Sequence, residues 1–416
     1  MSVTAASGFL AYGLAAGLKS SGSKDLALVI NTGPDYAAAG VFTTNRVKAA
    51  PVVWSEQVLT DGQLRAVILN SGGANACTGP AGFADTHRTA ELLANALRQA
   101  QGTAGLAQDT AGLAQDTAGS AQGTAGSAQA DIGAIDIAVC STGLIGVRLP
   151  MDKVAAGIND LVPLVRRDGG QAAAEAILTT DSVTKQASYS DEGWSIGGMA
   201  KGAGMLAPGL ATMLVVLTTD AVVESEQLHD QLASACRRSF ERIDSDGCMS
   251  TNDTVIVMSS GASGVRPTPR DFQAALDETC HDLASQLLVD AEGAAHTIAI
   301  HVEHAASEED AVQVGRAIAR SNLFKCAVFG HDPNWGRVLA AIGTTAANFE
   351  PERIDVAFNG VQVCRDGSIG EPRHLVDLSG RDVHLEVNLR NGTQSAIVWT
   401  NDLTYDYVKE NAEYST

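Results

Sequence analysis

Apolar residues recur along this chain with two periods. Val154, Ile158, Leu161 and Val162 share one face of a helix that opens after Pro150, and Leu92, Leu93, Ala96 and Leu97 mark another. Longer helical patterns cover residues 225–242 and 270–290. Elsewhere the period shortens to that of strands. Residues 186–190 and 194–196 flank Asp191-Glu192-Gly193 as a hairpin, while residues 132–140 and 296–302 read as further strands. Two Asn-Gly pairs, Asn359-Gly360 and Asn391-Gly392, stand between alternating segments such as 384–389 and 395–399. They predict two more hairpins, because a type I′ turn needs positive φ at both central residues. The fold class that follows is mixed α/β, with largely antiparallel sheets and packed helices rather than a doubly wound parallel sheet.

From Ala100 a seven-residue unit repeats, Ala-Gln-Gly-Thr-Ala-Gly-Leu and its variants, and decays by Asp131. Each unit carries a Gly at its sixth position and at most one large apolar residue, so it has no seam for a coiled coil to bury. Residues 100–130 therefore read as a flexible, dispensable insert between a helix and a strand. Residues 8–18 are apolar, but no Lys or Arg precedes Lys19, so they read as part of the fold rather than a secretory signal. Seven scattered cysteines, none in a C-x-x-C pair, are expected to be small buried hydrophobes of a cytoplasmic protein.

With 416 residues, 45% of them hydrophobic and 18% charged, the chain can bury substantial cores, and no apolar stretch suits a membrane span. A net charge of −20 opposes nucleic acids and anionic membranes as partners. His301 and His304, three apart in or beside a strand, are expected on opposite faces, and no metal site is read from the sequence.

The most informative stretch begins at Lys201. Gly202, Gly204, Pro208 and Gly209 make a flexible approach to Thr212, and the apolar run from Met213 to Leu217 then reads as a strand buried on both faces. Gly202-x-Gly204-x-x-Ala207 fits the loose dinucleotide fingerprint, yet a strand rather than a helix follows it, so that reading is set aside.

Lys201-Gly202 through Ala207-Pro208 to Ala211-Thr212-Met213-Leu214 resembles the processing site of the ornithine acetyltransferase family, the glutamate N-acetyltransferases of arginine biosynthesis. The resemblance extends through Asn70-Ser71-Gly72 with Ala74-Asn75-Ala76, Ser141-Thr142-Gly143, Thr179-Thr180-Asp181, Ser250-Thr251-Asn252-Asp253-Thr254, Asp332-Pro333-Asn334-Trp335-Gly336-Arg337, and the tail to Thr416. It covers the chain apart from the heptad insert. Gly73 departs from it, since Asn is expected there.

The resemblance implies an N-terminal nucleophile enzyme that cuts itself between Ala211 and Thr212 into chains 1–211 and 212–416. One cut would supply both catalytic groups: the Thr212 hydroxyl is a weak nucleophile, and the α-amine freed beside it, with a reference pKa of about 8, can serve as its base. By the same resemblance the Thr142 hydroxyl and Gly143 amide form the oxyanion hole, and Thr179, Lys201, Thr212, Glu292, Asn411 and Thr416 bind substrate. The implied reaction moves acetyl from N-acetylornithine to glutamate with no metal or organic cofactor. Acetyl-CoA is a further co-substrate in some members, and the two chains are expected to stay together as an (αβ)₂ heterotetramer. An N-terminal nucleophile amidohydrolase or aminopeptidase is the alternative, as is an uncleaved binding protein on the same fold.

Overall fold

The computed structural model describes residues 2–102, 132–207 and 213–413, and the chain divides into two compact units. The first comprises Met1–Lys201, Met213–Cys236 and Thr251–Leu283; the second holds the residues from Gly202 to Thr212, Arg237–Ser250 and Ala284–Thr416.

Among the described residues, nine strands belong to the first unit: β1 (Phe9–Leu14), β2 (Leu26–Asn31), β3 (Ala38–Phe42), β4 (Ala66–Asn70), β5 (Ile137–Ser141), β6 (Lys185–Asp191), β7 (Trp194–Lys201), β8 (Leu214–Thr219) and β9 (Thr254–Ser259). They form two sheets, of order β1-β2-β4-β5 and β3-β9-β8-β7-β6. Each sheet is antiparallel except for one parallel pair, β4 with β5 and β8 with β9. β2, β4, β5, β8 and β9 are buried at every residue, which is why they read as unbroken apolar runs rather than as alternation. The helix Gly79–Gly102 supplies the crossover that the parallel β4–β5 pair requires. Leu93 and Leu97 of that helix, and Val154 and Ile158 of the helix Met151–Leu161, join Leu28 and Leu69 in one core that also takes in Met199, Leu214 and Ile256.

The second unit holds one sheet of order β13-β12-β11-β14-β10-β15, built from β10 (Thr297–Ala305), β11 (Asp355–Phe358), β12 (Val361–Arg365), β13 (Ser368–Ile369), β14 (Asp382–Asn388) and β15 (Gln394–Asn401). Only β10 and β14 are parallel. Helices Glu308–Ala319, Asn322–Phe329 and Trp335–Ile342 begin at Ser307, Ser321 and Asn334, whose side chains accept the amides of Asp310, Phe324 and Arg337. Their apolar faces close a separate core around Ile300, Phe324 and Val387.

Mixed α/β architecture, the β6–β7 hairpin and the Asn359-Gly360 hairpin are all present. Asn359 and Gly360 have φ of 46° and 81°, and Phe358 pairs with Val361. The Asn391-Gly392 hairpin is not. β14 and β15 do not pair, because β10 lies between them, parallel to one and antiparallel to the other. The link passes across the end of β10, where the Leu389 and Asn391 amides donate to the carbonyls of Glu303 and His304. Gly392 is needed there for close approach, since a Cβ would stand 2.1 Å from the Ala305 carbonyl oxygen.

Other expectations are corrected locally. β5 starts at Ile137, after a 3₁₀ turn Ala134–Asp136 in which the Asp136 side chain accepts the Gly133 amide. The helix from Ser225 ends at Arg238, and Arg242, on the next turn, donates its Nε to the Arg237 carbonyl. In β10 a bulge at His304, with φ of 52°, places both Val302 and Ala305 in the core, while His301 and His304 both retain exposure. Cys140, Cys236, Cys280 and Cys364 are buried as expected, but Cys77, Cys248 and Cys326 are exposed. The helix Gly79–Gly102 runs into the first heptad, and the rest of the insert lies outside the described residues.

Candidate active site

Beyond their last paired residues, Asn70 and Ser141, the parallel strands β4 and β5 continue as two loops that remain hydrogen bonded. The Thr142 amide donates to the Asn70 carbonyl at 2.9 Å, the Gly73 amide to the Thr142 carbonyl at 3.1 Å, and the Ala74 amide to the Leu144 carbonyl at 2.8 Å. Asn252 clamps both loops, its Nδ2 donating to the carbonyls of Ala74 (2.6 Å) and Ser141 (2.8 Å). Gly143 therefore sits at a braced strand end with φ of 122°, a conformation that side chains disfavour. Among the described residues its amide has no hydrogen-bond partner. A fixed N–H of this kind, beside the Thr142 hydroxyl, is what an oxyanion site requires.

Thr142 is buried, and Lys201 Nζ donates to its Oγ1 at 3.4 Å. Lys201 closes strand β7 and is itself only 2% exposed, far from the usual fate of a lysine. Its charge is met by Asp181 at 3.8 Å, whose other oxygen accepts from Lys185 at 2.7 Å. Thr179 donates its amide (3.0 Å) and hydroxyl (3.4 Å) to the same carboxylate. Burial alone would raise the Asp181 carboxyl, but the charges of Lys201 and Lys185 and these hydrogen bonds outweigh it and hold it well below the usual carboxylate range. The loop bearing Thr179 is held from other directions too: Lys19 Nζ donates to the Leu178 carbonyl at 2.6 Å, and Ser71 Oγ to the Ala176 carbonyl at 2.6 Å.

The second unit brings together Glu292 and Asn411. Glu292 donates its amide to the Ala203 carbonyl at 2.9 Å and accepts from Asn411 Nδ2 at 3.1 Å. Gly204 lies so close that a Cβ there would come 2.5 Å from Glu292 Oε2. Asp246 fixes the same segment, accepting the Met205 amide at 2.6 Å, while the Ser245 amide donates to the Leu206 carbonyl at 2.6 Å. Burial pushes the Asp246 carboxyl above its ordinary range, against these hydrogen bonds and the neighbouring Lys325 charge. The helix Tyr405–Glu413, which carries Asn411, is pinned beside Glu292 by Thr404 Oγ1 on the Gly293 carbonyl. Burial and the charges of Asp246 and Glu292 push the Tyr407 phenol up to about 12.

Thr142, Gly143, Thr179 and Lys201 are thus gathered in the first unit, and Glu292 with Asn411 in the second. Ala211, Thr212 and Thr416 lie outside the described residues. Strand β8 opens at Leu214, as the apolar run after Thr212 predicts, and the Met213 amide donates to Asp253 Oδ1 at 3.1 Å. A strand after the glycine-rich segment also removes the dinucleotide fingerprint. Asp181, Lys185 and Asn252 acquired no role from the sequence. A lysine at an inward position of β6, in step with buried Ala187, was the available signal for Lys185. Among the described residues no three His, Cys, Asp or Glu side chains group as metal ligands, and no helix is long and apolar enough to cross a membrane.

The profile of the ArgJ family matches residues 10–110 and 101–416. The chain belongs to the ArgJ family. Within that family it is similar to the arginine biosynthesis bifunctional protein ArgJ of Streptomyces coelicolor, 57% identical over 416 residues that span the whole of both chains. The ArgJ protein of Mycobacterium leprae is 54% identical over 418 residues, covering all of this chain and 96% of that relative. Among solved structures, the ornithine acetyltransferase of Mycobacterium tuberculosis complexed with ornithine is 56% identical. It covers 51% of this chain and 96% of its own, with a TM-score of 0.42. As a member of the ArgJ family the chain is an enzyme of arginine biosynthesis.

Proposed function

We propose that this ArgJ-family enzyme is an acetyltransferase that carries acetyl from N-acetylornithine to glutamate on Thr212. In maturation, Thr212 Oγ attacks the Ala211 carbonyl, the peptide bond becomes an ester, and water hydrolyses it to an Ala211 carboxylate and a free Thr212 amine. In transfer, that amine takes the hydroxyl proton as Oγ attacks the acetyl carbonyl, and returns it to the departing ornithine amine. Glutamate then attacks the acetyl-threonine ester in the reverse sense, releasing N-acetylglutamate. No metal or organic cofactor enters these steps, and acetyl-CoA is an alternative acetyl donor.

The observation that carries this reading is the Gly143 amide, presented beside the buried Thr142 hydroxyl at the braced end of β5. Both donors suit the tetrahedral oxyanion of either step. Lys201 and Thr179 would receive substrate carboxylate and polar groups, while Glu292, Asn411 and Thr416 would receive the amine and the remaining polar groups. The cleaved chains would associate as (αβ)₂.

Intact mass under denaturing conditions tests the nucleophile. Two fragments meeting at Ala211 and Thr212, absent from Thr212→Ala, are expected; a single 42.9 kDa species in both would count against maturation. Acetyl transfer from N-acetylornithine, followed with and without glutamate, then separates transfer from hydrolysis. Acetate formed at the same rate whether or not glutamate is added would favour a hydrolase.

A further inference from the structure

Lysine is a donor only, so a threonine hydroxyl that accepts from an ammonium must send its own proton elsewhere. Lys201 Nζ stands 3.4 Å from Thr142 Oγ1, and both side chains are buried. That contact fixes the lone-pair side of the Thr142 oxygen. It leaves the O–H as the free arm, which is the polarity an oxyanion donor needs. A lysine side chain has four rotatable carbons, however, and holds such a geometry only if its far end is tethered.

Asp181 provides the tether. One carboxylate oxygen accepts from Lys185 at 2.7 Å; the other lies 3.8 Å from Lys201 and accepts from the Thr179 amide at 3.0 Å. The Asp181 and Lys185 side chains are fully buried. Both lysines come from the β6–β7 hairpin, Lys185 opening it opposite Ala200 and Lys201 closing it opposite Leu214. Asp181 stands in the loop before that hairpin, and one carboxylate thereby couples three groups that lie 2, 4 and 20 residues from it in sequence: Thr179, Lys185 and Lys201.

We propose that Asp181 is a positioning residue of the oxyanion site, holding the Lys201 ammonium on the Thr142 hydroxyl and so directing the hydroxyl proton toward the developing negative charge. The proposal rests on the acetyl-transfer reading above. Asp181 touches no reacting atom; it acts through Lys201 and Thr142. A purely structural Asp181 would neutralise two buried lysines and do nothing more.

The test is steady-state transfer from N-acetylornithine to glutamate by the full chain, with rates expressed per cleaved molecule from intact mass. Asp181→Glu keeps the charge but moves it by one methylene, and it is expected to lower kcat at least 10-fold and by a larger factor than it raises KM, which also shifts because Asp181 holds the substrate-facing Lys201 and Thr179. Wild-type kcat in that variant would overturn the proposal. Asp181→Asn is expected to lower kcat further. Combined with Thr142→Ala it should add less than 3-fold to the loss caused by Thr142→Ala alone, because the group it positions is already gone. Losses that simply multiply would also overturn it. Failure of the underlying reading looks different: the unmutated protein itself would transfer no acetyl group to glutamate.

Discussion

Gly143 faces Gly73 across the two loops, so closely that a Cβ on Gly143 would stand 2.9 Å from the Gly73 backbone nitrogen. Backbone cannot withdraw as a side chain can, and Gly143 also has positive φ. Gly143→Ala should therefore displace the presented amide and lower kcat by about 10²- to 10³-fold, the usual cost of one oxyanion donor. At Gly73 a Cβ would meet only Leu149 Cδ2, at 3.1 Å. Gly73→Asn, which restores the residue the family resemblance leads one to expect, should keep kcat within about 3-fold of the parent, because a flexible side chain can yield. Acetyl-transfer rates of the two variants check both outcomes.

Asp181 also makes a prediction about acid. Its carboxyl is held below the ordinary range in the fold, whereas an unfolded aspartate titrates near about 3.9. Its stabilising contribution is thus fully present above about pH 4 and is lost as pH falls from there toward the depressed native value. The stability gap between the parent and Asp181→Asn should be widest near neutrality and narrow below about pH 4. Urea midpoints of both proteins along that pH range would show it, and a gap independent of pH would contradict it.

Gly204→Ala probes the second unit. The new methyl would stand 2.5 Å from the Glu292 carboxylate and displace it from its contact with Asn411. Self-cleavage aside, KM for N-acetylornithine should rise about 10-fold, corresponding to roughly 1.4 kcal/mol. Glu292→Gln should raise it as well, since the amide keeps the shape but loses the charge proposed to take an amine.

Two glycines that look alike in sequence should respond differently to alanine. At Gly360 a Cβ meets nothing within 4 Å, so Gly360→Ala carries only the positive-φ cost of about 1–2 kcal/mol. At Gly392 the methyl would stand 2.1 Å from the Ala305 carbonyl oxygen and force the link away from β10. Its thermal midpoint should fall further than that of Gly360→Ala.

That pair also marks where the sequence stops being informative. Asn-Gly reports a tight local reversal, and Asn359-Gly360 is one; it says nothing about whether a third strand has been inserted between the two it joins, as β10 is between β14 and β15. The apolar run after Thr212 was legible because burial on both faces leaves no alternation to misread. Strand β5 was legible in position but not in length, since residues 134–136 turn on a side-chain hydrogen bond that periodicity does not record. Thr142, Thr179 and Lys201, to which the family resemblance assigns roles, are linked through the Lys201 and Asp181 contacts. Asp181 could not be assigned from spacing, because its partner Lys201 reaches it only when the β6–β7 hairpin folds back.

The order β3-β9-β8-β7-β6 has a final consequence. A break between Ala211 and Thr212 assigns β3, β6 and β7 to one piece and β8 and β9 to the other, so two strands of the second piece are flanked on both sides by strands of the first. Two backbone seams, β7 with β8 and β3 with β9, then join pieces that no longer share a peptide bond. Asp220, just past β8, adds a rivet by accepting the amides of Ser7 and Ser195. Once cut there, the sheet would be a natural split protein, in which each fragment is the template that completes the other.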